Sequence, residues 1–242
     1  MANPFKTQGW NQGLYEQSAT KKETLGALRF TADGRCFRYA KAGGTLTAGK
    51  NCIMSVAVAN HIKQANTGYT MAVGDMAVTV LIGGTALTAN QYDDGYLQIY
   101  DGAAAAVGQS MMISSHGVSA AGTEAVKLNL AEPVRAAVIA TDTFSLIVNP
   151  WSGVTHAAVL ANGFAGVATI AVTSGYYCWL QMGGVTCALV HANTVLGGEI
   201  TMSATDSGGF DLAAGYTSKM CGTTIGVAAV ADKYNPLFLS EM

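Results

Sequence analysis

The chain has 242 residues, half of them apolar, and only 12% are Asp, Glu, Lys or Arg, against about 25% in an ordinary soluble domain. That length supports one large β domain or two smaller ones and excludes a hormone-sized peptide or a linker. With a net charge of −2, so sparsely charged a chain suits a protein covered by its own copies or by a lattice, because burying few charges keeps the desolvation cost of packing low.

Residues 1–24 carry no helical or strand period. Asn, Gln, Gly and Lys dominate, and Phe5, Trp10, Leu14 and Tyr15 stand as isolated apolar positions. The reading is an extended N-terminal arm, dispensable for the fold of the body. Its Phe5, Trp10 and Tyr15 would bury apolar area in a partner, and Lys21 and Lys22 would add salt-sensitive steering. The first 15 residues have no basic segment leading into an apolar one, so synthesis in the cytoplasm is expected.

At Leu25 the pattern changes. Two β-like runs, 25–32 and 35–42, flank Asp33-Gly34, which predicts a hairpin closed by a type I′ turn. The stretch 52–64 fits neither helical nor strand period. Further runs lie at 76–82, 96–100, 109–114, 125–130, 144–148, 168–172, 176–182, 185–191, 199–204 and 225–231, punctuated by Gly, Asn and Asp, with Gly183-Gly184 and Gly208-Gly209 as predicted tight turns. The alanine run at 103–106 marks a boundary between two β regions, 25–101 and 109–242. Many short strands of this spacing predict an all-β fold, an antiparallel sandwich or barrel-like body behind the N-terminal arm. The longest apolar candidate for a membrane span, 136–148, is interrupted by Thr141, Asp142 and Thr143, so no membrane partner is expected.

The raw material for chemistry is sparse. The five cysteines, Cys36, Cys52, Cys178, Cys187 and Cys221, are odd in number and never form C-x-x-C, so they read as reduced, buried apolar side chains and not as a disulfide framework or a zinc site. His61, His116, His156 and His191 lie far apart without neighbouring carboxylates, which predicts histidines satisfied by backbone groups. Asp93, Asp94 and Asp101 bracket a strand and do not follow a calcium-loop spacing. Ser152 sits in Asn149-Pro150-Trp151-Ser152-Gly153, which reads as a sharp reversal anchored by an indole. No catalytic residue, cofactor or metal is expected, and hence no enzyme.

In Tyr176-Tyr177-Cys178-Trp179, strand alternation puts Tyr177 and Trp179 on one face and Tyr176 and Cys178 on the other. One face belongs to the core; the other suits a second buried sheet or a subunit interface better than a glycan-stacking platform. Charge is also unevenly placed. Residues 1–50 carry a net +5 and the remaining 192 a net −7, which favours one copy's N-terminal region lying on another copy or on an acidic partner. The basic residues are dispersed through strand-like sequence, so direct nucleic-acid binding is not expected.

Several segments together resemble small β-rich virion proteins of tailed bacteriophages: Leu25-Gly26-Ala27-Leu28 leading to Asp33-Gly34-Arg35-Cys36-Phe37-Arg38-Tyr39-Ala40-Lys41-Ala42-Gly43, then Asn149-Pro150-Trp151, Val172 to Gln181, and Thr224-Ile225-Gly226. The resemblance spans most of residues 25–240. It implies a capsid decoration, or cement, protein that binds the outside of the major capsid protein shell, commonly as a homotrimer. The expected location is the capsid surface of a virion, after synthesis in the host cytoplasm. The alternatives are a tail or fibre component, and a carbohydrate-binding or hydrolytic β module.

Overall fold

The structure is a computed structural model that describes residues 9–102, 105–120, 124–157, 163–191, 195–213, 220–226 and 232–240. Its strands are β1 (Leu28–Phe30), β2 (Cys36–Ala42) and β3 (Asn51–Ile53); then β4 (Gln64–Ala65), β5 (Ala77–Leu81), β6 (Tyr96–Asp101), β7 (Ser110–His116), β8 (Ala125–Leu130) and β9 (Thr143–Ile147). They continue with β10 (Ser152–Val154), β11 (Phe164–Ala168), β12 (Tyr177–Val190), β13 (Glu199–Met202), β14 (Phe210–Leu212), β15 (Met220–Thr224) and β16 (Lys233–Leu239). Among the described residues the only helical element is a single 3-10 turn, Ala59–His61. The protein is all-β, its sheets curled into a barrel and a half-barrel.

Two compact units divide the chain. One combines Met1–Ser55 with Trp151–Met242 and the other is Val56–Pro150, so the second is an insertion into the first. The boundary expected at 101–109 lies elsewhere. β6 and β7, on either side of it, pair as neighbouring antiparallel strands with Leu97 opposite Met111. Ala103 and Ala104 lie outside the described residues, and the strands on either side of the run belong to one sheet. The true re-entry is Asn149-Pro150-Trp151, where Asn149 Nδ2 donates to the carbonyl of Asp94 at 2.9 Å.

In the inserted unit six strands run in the order β4-β9-β6-β7-β8-β5. Alternation along β5 and β8 aims Val78, Val80, Val126 and Leu128 into one core with Leu97, Met111, Phe144 and Leu146, as the period of two demands of a half-buried sheet.

The other unit is organised by β12, whose 14 residues serve two sheets. Its first half lies between β2 and β11. Its second half belongs to a ring, β12-β14-β13-β15-β16 and back to β12, which closes without a free edge around Val190, Ile200, Met202, Phe210, Leu237 and Leu239. The tight turn expected at Gly183-Gly184 is not there: the two predicted runs are one continuous strand. A register shift falls between Gln181 and Gly183, and Gly184 takes a φ of 81°. The glycines therefore mark a bulge that bends β12 from one sheet into the next. A Cβ on Gly184 would lie 3.0 Å from Cγ of Arg35.

The predicted hairpin is β1 and β2, paired antiparallel with Phe30 opposite Cys36. Its turn differs from the expectation. Gly34 N–H donates to Thr31 O and Thr31 N–H to Arg35 O, both at 3.0 Å, and of the two central residues only Gly34 has positive φ. That is the three-residue hairpin loop with a bulged left-handed glycine, a common alternative to type I′. Two further runs shift: 168–172 becomes β11, and in 225–231 residues 225–226 follow β15 outside any strand while 227–231 lie outside the described residues.

Candidate interaction surfaces

Residues 9–24 contain no strand or helix beyond an isolated bridge between Ser18 and Tyr177, yet they cover one face of β2 and β12. Trp10 meets Trp179 edge-on, Trp179 meets Tyr39, and Tyr39 stacks on Tyr177. Gln12 is buried beside them. The Tyr39 hydroxyl donates to Gln12 Oε1 at 2.7 Å, Gln12 Nε2 donates to the carbonyls of Glu16 and Tyr177, and the Trp179 indole N–H donates to Gln12 O at 3.3 Å. The Arg29 guanidinium lies 5.5 Å from the Trp179 ring centre and donates to Gln12 O. Burial pushes the Tyr39 hydroxyl up to about 12, so it stays a proton donor.

The two faces of the Tyr176–Trp179 segment are thus both covered. Cys178 and Tyr176 join one core with Ala40, Val154 and Leu180, and Trp179 and Tyr177 join another with Leu25, Phe37, Tyr39, Trp10 and Leu14. The second cover is the chain's own N-terminal segment.

Of the expected partner-binding residues, Phe5 lies outside the described residues. Trp10 is half-buried on its own chain. Tyr15, Lys21 and Lys22 are exposed. The Tyr15 hydroxyl accepts from Arg35 Nη1 at 2.7 Å, and the backbone N–H of Lys22 donates to the Tyr39 hydroxyl at 3.0 Å. Nothing in the composition of 1–24 singled out Gln12, whose amide ties this segment down.

A second surface lies on the outside of the closed ring. Val185 is opposite Phe238 and Cys187 opposite Pro236, Thr223 extends the first row across β15, and Ile225 N–H donates to Pro236 O. Val185 (55%), Tyr234 (50%), Phe238 (46%) and Ile225 (43%) are exposed, and Cys187 and Pro236 are exposed with them. Beside them is an open depression of about 410 Å³ bordered by Arg35, Gly49, Thr169, Gln181, Cys187 and Pro236. All five cysteines are free. Four are buried as expected; Cys187 is not, because its position two residues from Val185 places it on the outward face.

The histidines are mostly structural. His61 donates from Nε2 to Thr85 O and accepts the Tyr92 hydroxyl at Nδ1. His116 accepts Tyr92 N–H at Nε2. His156 accepts Thr47 N–H at Nε2 and donates from Nδ1 to Asn51 O, and burial holds its pKa below the usual value. Two histidines depart from the expectation of no neighbouring carboxylate: His116 Nε2 lies 3.9 Å from Asp93 Oδ1, and His191 has a closer one. Its Nδ1 lies 2.9 Å from Asp232 Oδ1, whose hydrogen bond raises its pKa, and ligand atoms of His191, Asp206 and Asp232 lie within 4.8 Å of one another. The sequence hid this pair because its members are 41 positions apart. No protein family, curated protein or solved structure matches this chain.

Proposed function

We propose that this chain is a structural virion protein of a tailed bacteriophage, which attaches to the outside of the major capsid protein shell and stabilises it without catalysing a reaction. The observation that carries the reading is the way the N-terminal segment is held. Gln12 and Trp10 fasten it to β2 and β12, and exposed Tyr15, Lys21 and Lys22 are thereby presented on a fixed scaffold. Ordering the backbone that carries these side chains before contact lowers the entropy cost of docking, and the basic pair would complement an acidic patch on the shell. Attachment of many copies to the assembled shell, in preference to its separated subunits, stabilises the shell by mass action. The resemblance in the sequence supplies the virion context and the expectation of a homo-oligomer.

The test is to mix the purified chain with capsids that lack it and sediment the particles. Co-sedimentation in saturable ratio, weakened by salt and by the combined substitutions Lys21→Glu and Lys22→Glu, is the expected result. Antibody labelling of tails alone would replace decoration with a tail role. Glycan binding with no attachment to particles would favour a carbohydrate-recognition module.

A further inference from the structure

We propose that the outward face of β12, β16 and β15 is the surface through which copies of this chain meet one another. This rests on the self-association part of the functional reading and is independent of the shell. Six apolar side chains, Val185, Cys187, Tyr234, Pro236, Phe238 and Ile225, make up most of the face, with half-buried Thr223 of β15 as its polar member. None is charged, although the ring beneath them is complete without any cover, its interior already filled by Leu237, Leu239 and Val190. Outward positions of a solvated sheet are ordinarily polar, so the usual alternation is lost here, with apolar side chains on both sides of the strands.

Charge argues for a second copy as the occupant. A symmetric contact sets each residue near its own counterpart, which is penalised wherever the face carries a net sign. The face itself carries none, and its charged neighbours, Arg35 beside Cys187 and exposed Glu199 opposite Thr223, stand at its edges with opposite signs, so no net sign repels a second copy. Size argues the same way. The exposed parts of these side chains amount to on the order of 400 Å² per copy, so two such faces bury on the order of 800 Å², the scale of a weak contact that forms and dissolves with concentration. Cys187 stands within the face and is the one exposed cysteine of the five, so it reports on whether the face is covered.

The experiment uses the full chain without any capsid. Light scattering coupled to size exclusion, at micromolar concentrations, is expected to give an oligomer, and the paired substitution Val185→Lys with Phe238→Lys to give a monomer with an unchanged far-ultraviolet spectrum. In the unsubstituted protein, alkylation of Cys187 by a maleimide should slow several-fold as protein concentration rises through the association range. A wild-type monomer throughout, an oligomer that survives the paired substitution, or a Cys187 rate independent of concentration would each overturn the proposal. Because no shell is present, failure here leaves capsid attachment to be judged by its own sedimentation test.

Discussion

Trp10 and Trp179 meet edge-to-face, with ring centres 5.0 Å apart and planes at 81°. They lie 169 positions apart in the sequence, and their contact makes the N-terminal segment part of a core. Trp179 is 1% exposed because Trp10, Leu14 and Gln12 lie over it. The carbonyl of Gln12 and its side-chain oxygen receive the indole N–H and the Tyr39 hydroxyl, so removing the cover would expose large aromatic area and orphan two donors together.

Trp10→Ala should therefore destabilise the folded protein by about 2 kcal/mol, below the cost of truncating a fully buried Trp because Trp10 is only half-buried. Deletion of residues 1–24 should cost more. Urea unfolding of both variants checks this. Unchanged midpoints would return the segment to the dispensable arm that its composition suggests.

The strand content was legible because it follows from local chemistry. Alternation at 76–82 and 125–130 became β5 and β8 with register Val78 to Leu128, and Asp33-Gly34 marked a real hairpin. What was illegible is non-local. No local pattern shows that β12 runs through Gly183-Gly184, since a glycine pair reads equally as a turn or a bulge. β16, absent from the predicted runs, carries Pro236 opposite Cys187, a residue that argues against an interior strand. Of the candidate surfaces, the aperiodic, Lys-bearing stretch that carries exposed Tyr15, Lys21 and Lys22 is visible in the sequence, whereas the apolar face depends on pairing Val185 with Phe238 across 53 positions.

The histidines should give pH effects of opposite sign. His156 titrates below its ordinary 6.5 in the folded chain, so between the two values the unfolded chain holds more protons and stability rises with pH. Its contribution is complete above 6.5 and is lost as pH falls toward the folded value, where protonation of Nε2 orphans the Thr47 N–H. His191 is raised by Asp232. Its contribution is present below 6.5 and fades as pH rises through the folded value, and solvent keeps it small. Proton NMR should place the His156 midpoint under 6.5 and that of His191 above it; the reverse order would contradict the geometry.

Thiol reactivity should divide four to one. Burial pushes Cys178 up to about 12 and Cys52 well above the ordinary thiol range, leaving little thiolate at neutral pH, and Cys36 and Cys221 are buried. A disulfide reagent on dilute native protein should modify Cys187 quickly and the others only on unfolding, when five thiols titrate. Cys187→Ser should abolish the fast phase.

Two of the left-handed glycines near the β1–β2 hairpin, Gly34 and Gly184, should differ in cost. At Gly34, φ is 81° and nothing lies within 4 Å of an added Cβ, so Gly34→Ala should cost about 1 kcal/mol, the backbone preference alone. Gly184 has the same φ, but its added Cβ would meet Arg35 Cγ at 3.0 Å, Arg35 Cα at 3.1 Å and Gly34 O at 3.3 Å. Two of these neighbours are backbone atoms of the hairpin turn and cannot yield without disturbing the Arg35 carbonyl that receives Thr31 N–H. Gly184→Ala should then cost about 2–3 kcal/mol, the added part being steric. Chemical denaturation of the two variants measures the difference. Equal destabilisation would mean that β12 turns its bulge away from the hairpin at no cost, and that Gly184 is required for its φ alone.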